Sequence, residues 1–435
     1  MILNEIKKNV CDTIDNYRSE IINCGRYILN NPELGYREYK TSEYFRNKLN
    51  ELNISYEYPL GITGVKGVIR GKESKINVCI IGELDAVKSP EHPNADHITE
   101  AAHACGHNVQ IAVLLGVAYG LIKSDCMKDL FGDVILVAVP SEEFIEVEQK
   151  LEMIKNKTIN YIGGKQQLIH EGAFDDIDMA IMVHAQPNTP EMKVFTRGGS
   201  LGFIAENIRF IGKEAHGAEP FDGINALNAA MLALMGIHAN RETFSENDKI
   251  RIHPIITKGG DLVNTIPADV KIETYIRGAN IEAINKGKAV VNRVVKGAAE
   301  MIGAEVDIQE IKGYLPLIQN EELTNLFESN AAIFIDGNNI TKDVDMIGST
   351  DIGDLSHLIP CIQPTIGGFS GAAHSKDFLI ENEEFVYITS SKLIATTIID
   401  LLYNNAEKAI SIKKNFSSQL SKKDYLNNMK CRKGI

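Results

Sequence analysis

The segment AAHACGHN places Cys105 and His107 two residues apart, directly before an apolar stretch that predicts a helix. Thiolate and imidazole are both ligands of transition metals, and a loop before a helix can aim two side chains at one point. By itself the pair is equally consistent with a buried cysteine beside a helix-capping histidine. It predicts a metal site only if further ligands converge on it.

Two adjacent acids, Glu142 and Glu143, follow the apolar run DVILVAV. Carboxylates at the point where a buried strand emerges are costly unless a cation or a proton is shared between them. Because successive side chains of an extended backbone point to opposite sides, one acid can bind a metal ion while the other faces a neighbouring water. The alternative for this motif alone, two surface acids on a solvated loop, stays open.

Two further histidines stand at the end of an apolar strand and in a Gly-rich loop: His184 in MVHAQP and His374 in GAAHSKDF. Glu83 and Asp85 in GELDA end another apolar strand, where they can hydrogen-bond and orient the imidazole of a metal ligand or the loop that carries it. A single histidine of this kind is more often structural, so the joint occurrence carries the prediction. Five candidate ligands suit two metal ions with a shared bridge better than one closed zinc site. They are Cys105, His107, Glu143, His184 and His374.

Three apolar, β-branched runs, at 76–86, 133–143 and 178–187, end in these ionisable residues. The stretch 107–122 between the first two is too long for a strand and predicts a buried crossover helix. Apolar strands that alternate with helices predict an α/β fold, with a mixed, mostly parallel sheet and helices on both faces. In such sheets ligands bind beyond the carboxyl ends of the strands, where the candidate ligands stand.

Two other regions have recognisable patterns. Apolar residues in steps of three and four from Ile6 to Ile28 draw one stripe and predict one helix. After about Gly198 the order strand, helix, strand, strand, helix, strand predicts an inserted ferredoxin-like α+β domain. The expected bounds are 1–197 and 313–403 for the two parts of the larger domain, 198–312 for the inserted domain and 404–435 for a polar tail.

The composition excludes several classes of function. Lysine and arginine total 45 against 58 aspartate and glutamate, and the formal net charge of -13 argues against a nucleic-acid partner. No apolar run approaches the ~18 residues of a membrane span, and the N-terminus lacks the pattern of a signal peptide. Seven scattered cysteines without a CxxC pair favour a reducing compartment. We expect a cytoplasmic protein without nucleic-acid or membrane partners.

Eight motifs follow one another along the chain: GELDA, ACGHN, PSEE, VHAQP, GKEAHGAEP, VNTIPADVKIETYIRG, GSTDIGDLSHLIP and AAHSKDF. In them the sequence resembles the aminoacylase and carboxypeptidase G superfamily of co-catalytic metallopeptidases, in its amidohydrolase branch. The resemblance implies that the five ligands hold two divalent ions (zinc, manganese, cobalt or nickel), with the Cys105 thiolate in the bridging place. It also makes Glu142 the general base, which takes a proton from metal-bound water and hands it to the leaving amine.

The inserted domain resembles the family's dimerisation domain, which implies a homodimer. In relatives the histidine of GKEAHG, here His216, reaches into the partner's active site to stabilise the oxyanion. Asn264 and Arg277 match positions that meet the free carboxylate of the substrate, for which an Arg fork is well shaped. The alternative for Arg277 is a surface ion pair. The chain departs from many relatives at Glu83, where they carry Asp, and at Lys88, where they carry Pro.

The resemblance implies a hydrolase that cleaves the amide bond of an N-acyl amino acid, an aminobenzoyl-glutamate-like compound or a dipeptide. Two alternatives stay open: a non-catalytic binding or regulatory member of the same fold, and an enzyme that hydrolyses carbamoyl or amidino nitrogen compounds. The complete ligand set together with Glu142 argues against the first, since a binding protein is free to lose any of these groups. A dinucleotide-binding protein requires a G-x-G-x-x-G turn after the first strand, and none follows.

Overall fold

The computed structural model describes residues 2–430 of the chain. The helices are α1 (Leu3–Asn16), α2 (Arg18–Leu29), α3 (Tyr39–Glu51), α4 (His107–Lys123), α5 (Val147–Lys155), α6 (Gly164–Glu171), α7 (Ala226–Ala239), α8 (Ile281–Ile302), α9 (Glu321–Phe334), α10 (Ile352–Ser356), α11 (Ser390–Leu402), α12 (Glu407–Asn415) and α13 (Lys422–Asn428). The strands are β1 (Ser55–Leu60), β2 (Gly64–Ile69), β3 (Asn77–Glu83), β4 (Val87–Lys88), β5 (Ala101–Ala102), β6 (Asp133–Val139), β7 (Met179–Ile181), β8 (His184–Ala185), β9 (Val194–Thr196), β10 (Gly202–Ile211), β11 (Arg251–Lys258), β12 (Asp269–Gly278), β13 (Glu305–Lys312), β14 (Ile340–Lys342), β15 (Cys361–Ile362), β16 (Thr365–Ile366), β17 (Phe369–Ser370) and β18 (Leu379–Ile380).

These elements form two compact units, each described by itself below. The larger unit consists of residues 2–199, Ile318–Asp345 and Asp354–Lys422. The smaller unit consists of Ser200–Leu317, Met346–Gly353 and residues 423–430.

Six strands form the central sheet of the larger unit, in the order β1-β2-β6-β3-β7-β15. The strands β6, β3, β7 and β15 run parallel, whereas β2 pairs antiparallel with both β1 and β6. The register of β3 and β6 runs from Asn77 opposite Asp133 to Glu83 opposite Val139, so both strands end at the same edge. The mixed, mostly parallel sheet predicted from the sequence is confirmed.

Helix α4 crosses from β3 to β6 and is buried on every side. All its residues from His107 to Leu121 are buried, because the helix contacts β3 and also α1, α2 and α11. A helix with one exposed face shows an apolar stripe, whereas burial all round requires the continuous apolar sequence found here. The buried crossover helix predicted from the sequence is confirmed.

The N-terminal helix is interrupted, contrary to the prediction of one helix from Ile6 to Ile28. It forms α1 and α2 with a break at Tyr17, whose backbone (φ -101°, ψ 17°) leaves the helical conformation. Both helices keep their apolar residues buried, so the periodicity of the sequence continues through the break and does not reveal it.

The apolar run at 178–187 does not remain one strand of the central sheet. After Ile181 it separates from β3 and stays hydrogen-bonded to residues 360–366, with the His184 N–H donating to the Pro364 carbonyl oxygen at 3.1 Å. His184 therefore lies in a second sheet, of order β14-β9-β16-β8. The sequence does not show this change of partner because the run stays largely buried on both sides of it.

The segment Glu384–Leu402, a π-helical stretch continued by α11, is long and apolar enough to cross a membrane. However, 89% of its apolar window is buried inside the protein, and α11 packs against α1, α4 and α9. Its composition follows from this burial, so the segment is a core helix of the larger unit.

The smaller unit is built from β10, α7, β11, β12, α8 and β13, in this order along the chain. Its strands form an antiparallel sheet of order β11-β12-β10-β13, against which α7 and α8 pack side by side. Alternate residues of β10, among them Ile204, Ile208 and Phe210, join the two helices in one core. The ferredoxin-like order predicted from the sequence is confirmed.

One acidic residue interrupts the apolar side of β10. Glu206 is fully buried, two residues from both Ile204 and Ile208, and lies opposite Glu310 of β13 in the register of the sheet. Among the described residues its carboxylate oxygens have no hydrogen-bond partner. Burial and the neighbouring Glu310 raise the pKa of Glu206 to about 7, although Lys288 opposes this shift.

We predict that Glu206→Gln stabilises the protein at pH 8. A carboxyl whose pKa is raised in the folded state stabilises it below the ordinary carboxyl pKa, and this contribution is lost as the pH rises through about 7. The substitution should therefore raise the free energy of unfolding by on the order of 2 kcal/mol at pH 8 and leave it nearly unchanged at pH 4, below the ordinary carboxyl pKa. Calorimetric unfolding at both pH values measures the difference.

The matched control for this prediction is Glu305→Gln, which removes an exposed carboxylate from the neighbouring strand β13. It should change stability little at either pH. A Glu206→Gln variant that follows the wild type at both pH values would contradict the assignment of a strained charge to this position.

Candidate metal centre

Cys105 and His107 are placed by a sharp turn at the start of α4. Gly106 between them has a left-handed backbone (φ 84°), and a Cβ at this position would lie 2.7 Å from the Ala185 Cβ. Glycine is the residue that tolerates both conditions. The His107 Nδ1–H donates to the Asp85 carbonyl oxygen at 2.8 Å, which leaves Nε2 as the atom that can bind a metal ion.

The five predicted ligands come together in two overlapping groups. Ligand atoms of Cys105, His107 and His184 lie within 4.8 Å of one another, and Cys105 Sγ is 3.6 Å from His184 Nε2. Ligand atoms of Cys105, Glu143 and His374 meet the same limit, with His374 Nε2 and Glu143 Oε1 3.4 Å apart. Since Cys105 Sγ belongs to both groups, it is placed to be shared by two ions.

Two ligand atoms of this site are buried without a hydrogen bond of good geometry. His107 is fully buried and Glu143 is 6% exposed. Within the part of the chain that the structure describes, His107 Nε2 and Glu143 Oε1 have contacts to Glu83 Oε2 at 3.0 Å and His374 Nε2 at 3.4 Å, and neither contact is well aligned, which is rare for buried polar atoms because it costs free energy. A thiolate, imidazoles and a carboxylate at these separations fit two divalent ions such as zinc, manganese, cobalt or nickel.

The electrostatics of the site favour the metal-binding form of Cys105. Burial and Glu143 raise the pKa of its thiol, but the His107 and His184 imidazoles outweigh them and lower it to about 6. The thiolate is the form that binds metals. Hydrogen bonds to Cys105 and Glu143 raise the pKa of His374 to about 11. The His374 side chain is 49% exposed, so the site opens to solvent on this side.

Glu142 and Glu143 follow β6, and hydrogen bonds to the backbone of Glu143 fix this segment. The Glu143 N–H donates to Asp85 Oδ2 at 2.9 Å, and the buried Lys150 ammonium donates to the Glu143 carbonyl oxygen at 2.7 Å. Glu142 is outside these two groups but forms a third with Glu83 and His107, whose ligand atoms also lie within 4.8 Å of one another, and its Oε2 lies 3.9 Å from His107 Nε2. A buried carboxylate beside the ligands is placed to take up and return a proton.

Three buried polar residues of this region were missed by the sequence analysis: Gln110, Lys150 and Lys165. Lys165 Nζ lies 2.6 Å from an oxygen of Glu83, and both side chains are fully buried. Gln110 also contacts Glu83, and as a polar residue within the otherwise apolar α4 it carries a signal that sequence analysis can use. The two lysines carry no such signal, because both stand in segments of mixed polarity.

In the smaller unit, His216 and Asn264 lie on neighbouring segments. The Gly217 N–H donates to the Asn264 carbonyl oxygen at 2.7 Å, and His216 pairs with Thr265 as in a β-sheet. The imidazole of His216 is exposed, and its Nδ1 accepts a hydrogen bond from the Ala218 N–H at 3.1 Å. These two predicted site residues are therefore brought together.

Arg277 stands at the other end of β12, a ten-residue strand roughly 30 Å long. One chain therefore does not bring Arg277 and Asn264 to the same carboxylate. The Arg277 guanidinium lies 5.1 Å from the ring centre of Phe203 and 5.7 Å from that of Tyr275, and its Nη1 donates to Ser349 Oγ at 2.6 Å. It has no carboxylate partner among residues 2–430, so the surface ion pair considered above is not observed.

The family model of peptidase family M20/M25/M40 matches residues 79–397. The matched region includes the five candidate ligands and Glu142. The chain belongs to peptidase family M20/M25/M40. This M20 protein is a hydrolytic enzyme of the metallopeptidase and amidohydrolase type, and the resemblance predicted from the motifs is confirmed.

Known relatives match this M20 enzyme over most of their length. It is 28% identical over 336 residues to thermostable carboxypeptidase 2 of Saccharolobus solfataricus, covering 75% of this chain and 80% of that protein. It is 24% identical to the Xaa-Arg dipeptidase of Mus musculus over 98% of this chain and 95% of that protein. The solved YXEP protein of Bacillus subtilis, a dinuclear metal binding peptidase from the M20 family, matches with a TM-score of 0.71 at 22% identity, covering 89% of this chain and 99% of that one.

We predict that Cys105→Ala removes both metal ions from this M20 enzyme, whereas His184→Ala and Glu143→Gln each remove one. The reason is that Cys105 belongs to both ligand groups and the other two residues to one each. Metal content after exhaustive dialysis, measured by mass spectrometry, tests this. Cys11→Ala on α1 is the control for loss of a cysteine outside the site. Retention of both ions by Cys105→Ala would exclude the shared position of its thiolate.

Proposed function

We propose that this M20 enzyme is a dinuclear metal-dependent hydrolase that cleaves the amide bond of an N-acyl amino acid, an aminobenzoyl-glutamate-like compound or a dipeptide. The observation that carries the proposal is the pair of ligand groups that share Cys105 Sγ. Two relatives are named as a carboxypeptidase and a dipeptidase, which supports a substrate whose amide bond lies next to a free carboxylate.

Glu142 is the proposed general base. Two divalent ions, when bound, supply Lewis acidity for the amide carbonyl and lower the pKa of water towards neutrality. Glu142 takes the proton of the attacking water and transfers it to the nitrogen of the leaving amine. Its side chain is 6% exposed, which limits exchange of this proton with bulk water between the two transfers.

His216 is the proposed donor to the oxyanion. Because its Nδ1 accepts a hydrogen bond from the Ala218 N–H, the neutral imidazole carries its proton on Nε2. The loop thus prepares an N–H donor on an exposed side chain, with Asn264 on the neighbouring segment. We assign both residues to the active site of a partner subunit, as in the relatives that the GKEAHG motif resembles.

The surface of the smaller unit supports a homodimer. β11 is an edge strand of its sheet and exposes Ile255 and Ile256. Helix α8 covers β13 at the other edge, so α7 lies on the side of β11, and α7 exposes Met231 and Met235. An exposed edge strand is a template for pairing with a second chain, and exposed apolar side chains provide area to bury. We therefore propose the β11 edge and α7 as the dimer interface.

Arg277 is the proposed site for the free carboxylate of the substrate. Its half-buried guanidinium rests against two aromatic rings and is oriented by Ser349, which leaves further donors of the fork for a ligand. Because β12 separates Arg277 from His216 and Asn264, we infer that these groups serve different active sites of the dimer.

We predict that Glu142→Gln lowers the rate of amine release by about 10²–10⁴-fold and leaves the metal content unchanged. The assay uses N-acetyl-amino acids, aminobenzoyl-glutamate and dipeptides, with metal-stripped enzyme supplied with single divalent cations. The control is Glu148→Gln, an exposed acid of α5 that should retain full activity. Undiminished turnover by Glu142→Gln would exclude its role as the base, and wild-type enzyme inactive with every cation and substrate would exclude the proposed reaction.

We predict that mixing two inactive variants, Glu142→Gln and His216→Ala, restores activity after subunit exchange. If His216 acts in the partner's site, a mixed dimer has one site with an intact base and an intact histidine. Random exchange makes half of the dimers mixed, so activity should reach about a quarter of that of the wild type. Mixing Glu142→Gln with Cys105→Ala is the control and should restore nothing, because both defects lie in the metal centre of their own subunit. An absence of recovery in the first mixture contradicts the exchange of His216.

A further inference from the structure

The carboxylate of Glu83, at the end of β3, is held by both of its oxygens. Lys165 Nζ lies 2.6 Å from Oε1, and the Gln110 side-chain amide donates to Oε2 at 2.8 Å. The amide oxygen of Gln110 in turn accepts the Glu83 backbone N–H at 2.9 Å. All three side chains are buried, those of Glu83 and Lys165 completely. The position of this carboxylate is therefore fixed by the protein alone.

The second oxygen of this carboxylate, Oε2, lies 3.0 Å from His107 Nε2. The two atoms do not form a hydrogen bond, since His107 Nε2 has no partner of good geometry anywhere in residues 2–430. The ring donates its Nδ1–H to the Asp85 carbonyl oxygen. The neutral ring therefore carries its lone pair on Nε2, the atom that lies beside the carboxylate oxygen. Two atoms with free electron pairs at this separation are close enough to bind one cation.

This arrangement fits two ligands of one ion. Two ligand atoms, each about 2.1 Å from one metal ion, lie about 3.0 Å apart at a right angle and about 3.4 Å apart at the tetrahedral angle. Glu83 Oε2 and His107 Nε2 are 3.0 Å apart, at the lower end of this range. A carboxylate that merely supported the imidazole would accept a hydrogen bond from one of its nitrogens. Among the described residues His107 Nε2 makes no hydrogen bond of good geometry to Glu83, and the backbone carbonyl oxygen of Asp85 accepts the proton of the other ring nitrogen.

We propose that Glu83 is a direct ligand of the ion held by His107 and His184. This inference rests on the dinuclear site proposed above. It makes Glu83 a direct ligand, whereas its sequence motif predicts that it supports the imidazole or the loop of another ligand. Lys165 contacts Oε1 and Gln110 donates to Oε2, and a carboxylate oxygen that accepts one hydrogen bond keeps a second lone pair for the ion. The alternative is that Glu83 serves only to neutralise the buried Lys165, and the experiment below separates these two roles.

A fourth protein ligand makes the two metal positions unequal. If Glu83 joins Cys105, His107 and His184, the position at His107 has four protein donors and lies beside a fully buried imidazole. The position at His374 has three donors and lies beside a half-exposed imidazole. Closed coordination is typical of tightly held ions, whereas open coordination leaves room for water and substrate. We infer that the ion at His107 is bound first and more tightly, and that substrate enters at the His374 side.

The test is a Co²⁺ titration of the metal-free full-length protein, followed by calorimetry and by visible absorption. Four variants are compared with the wild type: Glu83→Gln, Lys165→Met, the double variant Glu83→Gln/Lys165→Met and the control Glu148→Gln. The double variant is needed because Glu83→Gln alone removes a negative charge 2.6 Å from the buried Lys165 ammonium, which threatens folding. Circular dichroism verifies that each variant is folded.

We expect Glu83→Gln and the double variant to bind the first Co²⁺ at least about tenfold more weakly than the wild type and with a changed absorption spectrum. Lys165→Met and Glu148→Gln should keep the tight first site. If the double variant binds the first Co²⁺ with wild-type affinity and spectrum, Glu83 is only the partner of Lys165 and the inference is wrong. A wild-type protein that binds fewer than two Co²⁺ per subunit refutes the dinuclear site itself, and this result is visible before any variant is compared.

Discussion

Asp85 joins the two elements that carry most of the candidate metal ligands, and the geometry of the candidate site depends on it. Its carbonyl oxygen accepts the His107 Nδ1–H at 2.8 Å, and its Oδ2 accepts the Glu143 N–H at 2.9 Å. One buried residue after β3 thereby orients an imidazole at the start of α4 and the backbone after β6. Each ligand group contains one of these two residues, so the groups share this support as well as the Cys105 thiolate.

Burying so many ionisable groups at one edge of a sheet requires that each has a partner or a ligand, because an unpaired buried charge is strongly destabilising. The larger unit meets this requirement with two buried lysines from α5 and α6. Lys165 pairs with Glu83, and Lys150 donates to the Glu143 carbonyl oxygen. Both helices follow β6 in the chain, so the acids at the end of β6 and the cations beside them belong to one continuous stretch.

Regular patterns made much of this fold predictable. The buried helix α4 and the alternating strands of the smaller unit follow from apolar periodicity, and the candidate ligands follow from several polar motifs at strand ends considered together. Contacts between distant segments leave no local pattern. Lys165 and Glu83 are 82 residues apart in the chain, and His184 changes sheets because it stays paired with residues 360–366. The separation of Asn264 from Arg277 is likewise visible only once β12 is seen between them.

Two histidines show how the backbone sets the chemistry of a side chain. His107 Nδ1 faces a carbonyl oxygen, so it holds the proton and Nε2 offers an electron pair to a cation. His216 Nδ1 faces the Ala218 N–H, so the proton moves to Nε2, which becomes a donor for an anion. The loop that presents His216 depends on Gly217, where a Cβ would lie 3.1 Å from the backbone of Asn264. The polarity of a single backbone group thus suits the His107 imidazole to the metal ion proposed for it and the His216 imidazole to the oxyanion proposed for it.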